Sequence, residues 1–418
     1  MPLRAFAFLA VFLGIIFAID WYVFQGIRTL TAPMQPAALR KGLRWAYWVI
    51  SIGLPALMFF ALFTADRSKG ITPLMSYSAS FFITLFVTKL VFLVVLFGGD
   101  IARVVEGVVN RIKGPAEETA FLPERRRFVS MLALGIASIP FASFLYGIAK
   151  GKYLYKVHRH TLFFDDLPTA FDGFTITQIS DVHSGSFDDQ EAVRRGVEMA
   201  QAQQSDLFVF TGDLVNNAAI EFEPYLEMFK QLRAPFGQFS IFGNHDYGDY
   251  TPWPTEEDKV ANLDRLKEYH RQAGFRLLLD EHVMIEKDGQ QLALLGVENW
   301  GVGFGKRGDL KKASEGLPQD TFKILLSHDP THWDHEVKSF DNPVQLTLSG
   351  HTHGMQVGLE IPGFRWSPSQ YRYPKWAGVY EEAGRMLHIN RGFGFLGFSG
   401  RVGIWPEITV LELKKRVS

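Results

Sequence analysis

Phe174-Thr175-Ile176-Thr177-Gln178-Ile179-Ser180-Asp181-Val182-His183 carries the reading of this chain. Residues 174–180 are apolar and β-rich and read as a strand. The strand ends on Asp181 and His183, two residue types that bind metal ions. Four later stretches repeat the design. Residues 206–210 end at Gly212-Asp213, and residues 239–242 end at Gly243-Asn244-His245-Asp246. Residues 322–326 end at Ser327-His328-Asp329, and residues 344–348 at Gly350-His351-Thr352-His353. A further strand at 292–297 runs into Glu298-Asn299-Trp300 and brings no ligand.

Helical spacing separates these strands. It predicts helices over 189–204, capped by Asp188, over 221–233 and over 255–272. Interleaved strands and helices make an α/β layered fold, with ligands at the carboxyl ends of strands, where open α/β sheets build sites. After Gly354 the chain is rich in Gly and aromatics and reads as long loops with short strands.

In an extended chain, residues i and i+2 face the same side. Asp181 and His183 can then reach one ion, and so can His351 and His353. Neighbouring glycines allow sharp turns and leave room for ions. The chain has no cysteine, so any site uses N and O donors, which suit Mn, Fe, Zn or Ni. A carboxylate can bridge two ions, and Asp213 is the candidate. Two such cations would make water nucleophilic at neutral pH and offset the charge that develops on phosphorus.

This ordered set resembles the calcineurin-like metallophosphoesterase superfamily, with its D-x-H, G-D, G-N-H, H and G-H-x-H motifs, and within it the membrane-anchored branch. The resemblance covers about residues 160–415. It implies a four-layer α/β/β/α sandwich and a hydrolase acting on phosphate esters with two divalent metal ions. Asp181, His183, Asp213 and His353 would hold one ion, and Asp213, Asn244, His328 and His351 the other. His245 would stand near the leaving group as the catalytic acid or a charge stabiliser, oriented by Asp246. Asn390-Arg391-Gly392 resembles a late motif of this branch. It makes Arg391 a candidate phosphate ligand, with a surface salt bridge as the alternative. Asn216 or Asn217 is expected to face the substrate.

The first 150 residues differ in kind. All 12 histidines lie at or after His158, and four apolar runs precede them, at 6–24, 45–65, 75–99 and 128–149. Each is long enough to cross a bilayer, which takes about 20 apolar residues. The expected organisation is a transmembrane region over 1–150, of about four helices, and a phosphoesterase domain over 151–418. Arg28, Arg40, Lys41 and Arg44 follow the first run. Arg103, Arg111, Lys113 and Arg125–Arg127 precede the fourth, whereas the second loop has only Arg67 and Lys69 and the N-terminal tail only Arg4. The positive-inside rule places the two basic loops in the cytoplasm and the histidine-rich domain on the exoplasmic side. Lys150, Lys152, Lys156 and Arg159 argue weakly the other way. Arg125-Arg126-Arg127-Phe128-Val129 resembles a twin-arginine export signal, or is a positive helix flank. Both readings put it in the cytoplasm. Residues 100–127, with Glu106, Glu117, Glu118 and Glu124, read as an amphipathic segment without chemistry of its own.

Lys89 falls within the third run. Such a charge is costly and often functional, and Asp20 is its expected partner. Two aromatic stretches lie near the last motifs: Phe364-Arg365-Trp366 with Tyr371, Tyr373 and Trp376, and Phe393, Phe395, Leu396 and Phe398. Either they pack, or they admit a lipid. His158, His160, His270, His282, His332, His335 and His388 are expected to be structural.

The functional expectation is an integral membrane phosphoesterase acting on a phosphodiester, phosphomonoester or pyrophosphate of a lipid-linked or envelope substrate, UDP-diacylglucosamine-like in one version. Membrane lipids are its expected partners. A net charge of −1 gives no global field for nucleic acid. The rival is a transporter or sensor with a regulatory phosphoesterase domain, motivated by Lys89 and the four spans.

Overall fold

The computed structural model describes residues 3–65, 72–113 and 123–416; Arg67, Lys69, Glu117 and Glu118 lie outside them. The chain forms two compact units, one of Met1–Ala65 with Pro73–Tyr146, the other formed by Gly147–Ser418.

The first unit is built from Leu3–Thr31 (α1), Ala37–Thr64 (α2), Pro73–Lys113 (α3) and most of Pro123–Ala149 (α4). All four are long and apolar enough to cross a membrane. Large apolar side chains such as Val11, Phe17, Ile52, Phe63, Val94 and Ile139 stay exposed on them, as expected of surfaces solvated by lipid. The helices touch through Val23, Phe92, Leu96, Ala133 and Ala137. Ala133 and Ala137 are fully buried small residues that let backbones approach. Gly26 serves the same end, since a Cβ there would sit 2.7 Å from the Phe92 ring. The segment after residue 99, expected to leave the membrane helix, continues α3 unbroken to Lys113.

Lys89 Nζ lies 2.6 Å from Asp20 Oδ1 and 2.8 Å from Ser51 Oγ. The Tyr47 hydroxyl donates to the Asp20 carbonyl at 2.9 Å. One polar knot therefore joins α1, α2 and α3.

The second unit contains two six-stranded sheets. Across the first lie Lys156–Phe164 (β1), Glu407–Lys415 (β14), Phe174–Ile179 (β2), Leu207–Phe210 (β3), Gln238–Ser240 (β4) and Arg276–Leu277 (β5). Across the second lie Gly378–Glu382 (β12), Arg385–Ile389 (β13), Leu346–Ser349 (β9), Lys323–Leu326 (β8), Gln290–Gly296 (β7) and Glu281–Lys287 (β6). A small hairpin, Leu359–Ile361 (β10) with Phe364–Trp366 (β11), stands apart. Strands β2 to β5 run parallel, as do β7, β8, β9 and β13. β3, β8 and β9 are buried at every residue, which is why they read as short unbroken apolar runs rather than alternating ones.

Three cores separate four layers. Phe174, Ile176, Leu207 and Val209 of the first sheet meet Leu294, Ile324, Leu326 and Leu348 of the second. The outer face of the first sheet packs on Gln190–Gln201 (α5), Leu226–Phe229 (α6) and Glu256–Gln272 (α7). The outer face of the second packs on Leu310–Ala313 (α8) and Thr331–His335 (α9), with Trp333 at its centre. The α/β/β/α sandwich is therefore the observed fold.

Four local expectations need correction. Asp189, not Asp188, caps α5, accepting from Ala192 N at 3.0 Å; Asp188 is held by Lys152 and Tyr153 instead. The helix expected over 221–233 is a 3-10 turn, Ala219–Tyr225, leading into the single turn of α6. Pro224 lacks the amide that a longer α-helix would use there, and the Glu221 carboxylate is drawn back to Asn216 N. The stretch after Gly354 hides β14, a nine-residue strand in the middle of the first sheet. β1 was also missed, because it is largely exposed and needs β14 to pair with.

Breaking one half of the Asp20–Lys89 pair leaves a lone desolvated charge, a cost of about 3–5 kcal/mol for buried pairs. Lys89→Met should lower the unfolding temperature of the detergent-solubilised chain, and the double variant Asp20→Asn/Lys89→Met should recover most of the loss. Equal instability of single and double variants would show that the pair does not hold the helices.

Candidate metal centre

The loops after β2, β3, β4, β8 and β9 converge where the carboxyl ends of the two sheets meet. Backbone and side-chain bonds lock them: Asp181 N donates to Gly212 O at 2.9 Å, Gly350 N to His328 O at 2.9 Å, and Gln178 Nε2 crosses between sheets to Ser349 O at 2.9 Å. The backbone at Asp181, His183, Asp213, His351 and His353 is left-handed, with φ of 51°, 46°, 60°, 71° and 49°. The extended i, i+2 geometry expected for Asp-x-His and His-x-His is thus wrong. These five residues sit on sharp turns, a conformation that costs about 1–3 kcal/mol per residue and collects at functional sites. Gly243 and Gly350 permit the tight approach: a Cβ on Gly243 would collide with the Asp213 carboxylate, and one on Gly350 with Ser180 and Asp181.

The side chains form two adjacent clusters, Asp181–His183–His353 and Asp213–His328–His351, each with ligand atoms within 4.8 Å of one another. His351 and His353, expected on one side of the chain, part into different clusters. His353 Nε2 is 3.3 Å from Asp181 Oδ1. Asp213 Oδ2 lies 3.1 Å from His328 Nε2 and 3.5 Å from His183 Nε2, so it adjoins both groups.

The donor set fits divalent cations. Both ring nitrogens of His183, Nε2 of His353, Oδ1 of Asn244 and Oδ2 of Asp329 are buried without a hydrogen-bond partner among the described residues. Leaving buried polar atoms unpaired is costly, and a cation in each cluster would engage one ring nitrogen of His183, His353 Nε2 and Asn244 Oδ1. Burial alone would push Asp213 up, yet His328 and His245 hold it well below the carboxylate range. Burial also favours the neutral forms of His183 and His351, the forms that ligate metals. His328 is the exception: burial pulls it down, but Asp213 reverses this and raises it to about 10. The His328 Nδ1–H donates to the Thr211 carbonyl at 2.7 Å, which aims Nε2 at Asp213.

His245 stands beside the clusters, its ring 5.0 Å from that of His183. Its amide donates to Asp213 Oδ1 at 2.8 Å. Its Nδ1 is 2.8 Å from the Asn216 carbonyl. A carbonyl can only accept, so Nδ1 carries the proton and Nε2 is left for chemistry.

Two expected site residues are held in other ways. Among the described residues, no hydrogen bond joins Asp246 to the His245 ring. Its carboxylate is fully buried and accepts from the amides of Asp213, Gly243 and Leu214, each at 2.8 Å. It therefore staples the β3 and β4 loops together. Arg391 has both terminal nitrogens committed, to Glu407 and Glu360, each at 2.6 Å, and is 3% exposed; this occupation argues against its binding phosphate. Asn217 is half-buried with Oδ1 unpartnered among the described residues.

Sequence reasoning missed three residues. Arg401 is fully buried, its Nη2 lying 3.2 Å from His353 Nδ1 while donating to the carbonyls of Arg391, Gly392 and Gly394. The Tyr373 hydroxyl is 2.8 Å from His351 Nε2. Tyr250 accepts from Asn244 Nδ2 at 3.0 Å. Arg401 and Tyr250 belong to none of the motifs, and Tyr373 stood only among the aromatics. Phe393 and Phe395 are fully buried and pack, whereas Phe364 and Tyr371 are exposed. Of the remaining histidines, His270, His282, His332 and His388 are bonded to Ser240, Ala313, Ser327 and Gln178.

Comparison with known proteins agrees with this geometry. Residues 4–152 match the family described as "Probable Calcineurin-like phosphoesterase, transmembrane domain", and residues 174–355 match "Calcineurin-like phosphoesterase". The metallophosphoesterase YkuE of Bacillus subtilis is 30% identical over 64% of this chain and 90% of its own length. The phosphodiesterase YaeI of Escherichia coli is 27% identical over 69% and 98%. The UDP-2,3-diacylglucosamine pyrophosphatase LpxG of Chlamydia trachomatis is 26% identical over 55% and 81%. The chain belongs to the calcineurin-like phosphoesterase family. It is an integral membrane hydrolase of phosphate esters, whose domain works with divalent metal.

If Asp246 is a staple, Asp246→Ala removes the acceptor of three buried amides. The loss should exceed about 3 kcal/mol, given about 1–3 kcal/mol for each stranded group. Thermal unfolding that matched the parent, with only turnover reduced, would return Asp246 to a purely catalytic role.

Proposed function

We propose that this chain hydrolyses a phosphodiester of a lipid-linked or envelope substrate. Asp181, His183, Asp213 and His353 would hold one divalent ion, and Asp213, Asn244, His328 and His351 a second. The reading is carried by Asp213 Oδ2, a single carboxylate oxygen adjoining His183 at 3.5 Å and His328 at 3.1 Å. Bound cations would polarise the phosphoryl group, lower the pKa of water and offset developing charge.

The chain's own residues supply the rest. The Asn216 carbonyl holds the proton on His245 Nδ1 and turns Nε2 towards the chemistry; with Nε2 protonated as well, the imidazolium would deliver that second proton to the departing oxygen. Asn217, next in the chain, offers its unpartnered amide oxygen to a substrate hydroxyl. Tyr373 holds His351 from behind, as partners of metal-ligating histidines do, while Arg401 sets a fixed cation against His353 Nδ1.

Three observations support the substrate class. The chain is anchored in the membrane, YaeI is named a phosphodiesterase, and LpxG is named for a lipid-linked pyrophosphate. The excess of Arg and Lys in the first and third loops supports an exoplasmic catalytic domain, which favours lipid or wall phosphodiesters over nucleotide-activated ones. The transporter or sensor reading drew on Lys89 as an unexplained charge, and its bonds to Asp20 and Ser51 supply a structural reason for it.

His245→Ala should lower kcat on a soluble phosphodiester by about 10²–10⁴ with bound metal, measured by plasma mass spectrometry, unchanged. Unaltered turnover would leave a metal-binding domain without catalysis. Protease added to intact spheroplasts should digest the catalytic domain. Protection until lysis would place it in the cytoplasm and restore the nucleotide-activated lipid as the favoured substrate.

A further inference from the structure

The first unit carries a second polar feature, unrelated to the metal centre. At the end of the helices where α1 stops and α2 and α4 begin, an open cavity of about 660 Å³ is lined by Arg28, Arg44, Arg126 and Arg127, with Glu124 as the one carboxylate among the described residues. That volume falls among small-molecule pockets, which span about 300–1,000 Å³.

The four guanidinium groups have no carboxylate partner among the described residues. None of them forms an ion pair among the described residues, although Glu124 lines the same cavity. By contrast, Arg103 pairs with Asp100, and Arg125 with Glu106. Arg44 is fixed in place: Nε donates to Thr31 Oγ1 at 2.9 Å and Nη2 to the Arg28 carbonyl at 3.0 Å. It closes the carboxyl end of α1 while presenting its charge to the cavity. Arg126 and Arg127 enter from the first turn of α4, where the helix dipole also favours an anion.

Four like charges around one hollow repel one another unless an anion sits among them. Guanidinium groups match phosphate oxygens in pairs. The setting names the source of that anion. The cavity lies at the ends of membrane-spanning helices, on the side assigned to the cytoplasm by its basic loops, and that leaflet carries anionic lipid. The same helix turns leave Leu39, Leu43, Phe128 and Leu132 exposed, as needed beside acyl chains.

We propose that this cavity binds the phosphate headgroup of an anionic phospholipid, with Arg28, Arg44, Arg126 and Arg127 as its ligands. The three-arginine run that resembled an export signal is then part of a lipid site, with Arg125 turned aside to Glu106.

The full-length protein in neutral detergent is titrated with short-chain phosphatidylglycerol, short-chain phosphatidylcholine and inorganic phosphate, with binding followed calorimetrically. Phosphatidylglycerol should saturate one site and bind more tightly than either other probe. The double variant Arg126→Gln/Arg127→Gln should weaken it about thirtyfold, taking the contribution of each basic residue near a charged surface. Arg103→Gln, a charge outside the cavity, should leave it unchanged. Turnover of a soluble phosphodiester checks that the variants are folded. If the double variant fails that check, Glu124→Gln decides instead, and should tighten binding. Equal affinity for the two lipids, or an equal loss in Arg103→Gln, would overturn the site. Inorganic phosphate binding as tightly as the lipid would overturn the lipid as its ligand.

Discussion

Two buried carboxylates govern the catalytic domain. Asp181 and Asp213 are 0% and 1% exposed, and each must keep its charge in a region where an isolated charge is very costly. The surrounding structure compensates them. His351 N donates to both oxygens of Asp181 at 3.0 Å, and His245 N to Asp213. His183, His328 and His353, from three loops, bring ring nitrogens to within 4.0 Å of the same oxygens. Cations would complete this arrangement better than protons, because they could also engage a ring nitrogen of His183 and Asn244 Oδ1, which have no hydrogen-bond partner among the described residues. The fold can be seen as whatever brings five strand ends to one place, with the inter-sheet core of Ile176, Val209, Ile324 and Leu348 setting the distance between the two sheets.

The candidate ligands that gather in the two clusters were legible because chemistry is written in residue type. Asp, His and Asn after apolar runs have few structural reasons to recur, and the clusters contain all of them except Asn244, which lies in the loop beside them. Backbone conformation was less legible. Asp-x-His looks like an extended pair, but both residues adopt positive φ. Only the tertiary demand that each side chain turn back over the strand end forces that choice. β14 escaped for a related reason. A strand paired with two partners from the far end of the chain has no local signal that distinguishes it from the loops before it.

In the membrane unit the decisive term is desolvation. Lys89 would be expensive in hydrocarbon by itself, and the structure answers with Asp20, Ser51 and Tyr47 from two other helices. The charge has become a device that sets helix register. An intramembrane lysine seen in sequence raises both transport and packing, and the bonds to Asp20 and Ser51 supply the packing reason.

Arg391 and Arg401 show why residue roles are harder to read than residue types. Arg391 sits in a recognisable motif and looked like a phosphate ligand, yet two glutamates hold it, one of them in β14, the strand that sequence did not reveal. Arg401 sits in no motif, ten residues later among glycines, and lies against His353 with four carbonyl groups around its guanidinium. Burial shifts it down to about 10, so it remains a cation at neutral pH and adds positive charge behind Asp181. A buried arginine needs many acceptors, and these come from turns at residues 391–404 whose shape depends on left-handed glycines such as Gly392 and Gly403. The sequence shows the glycines and the arginine separately. Only the folded chain shows that the glycines exist, in part, to place carbonyls around that one side chain.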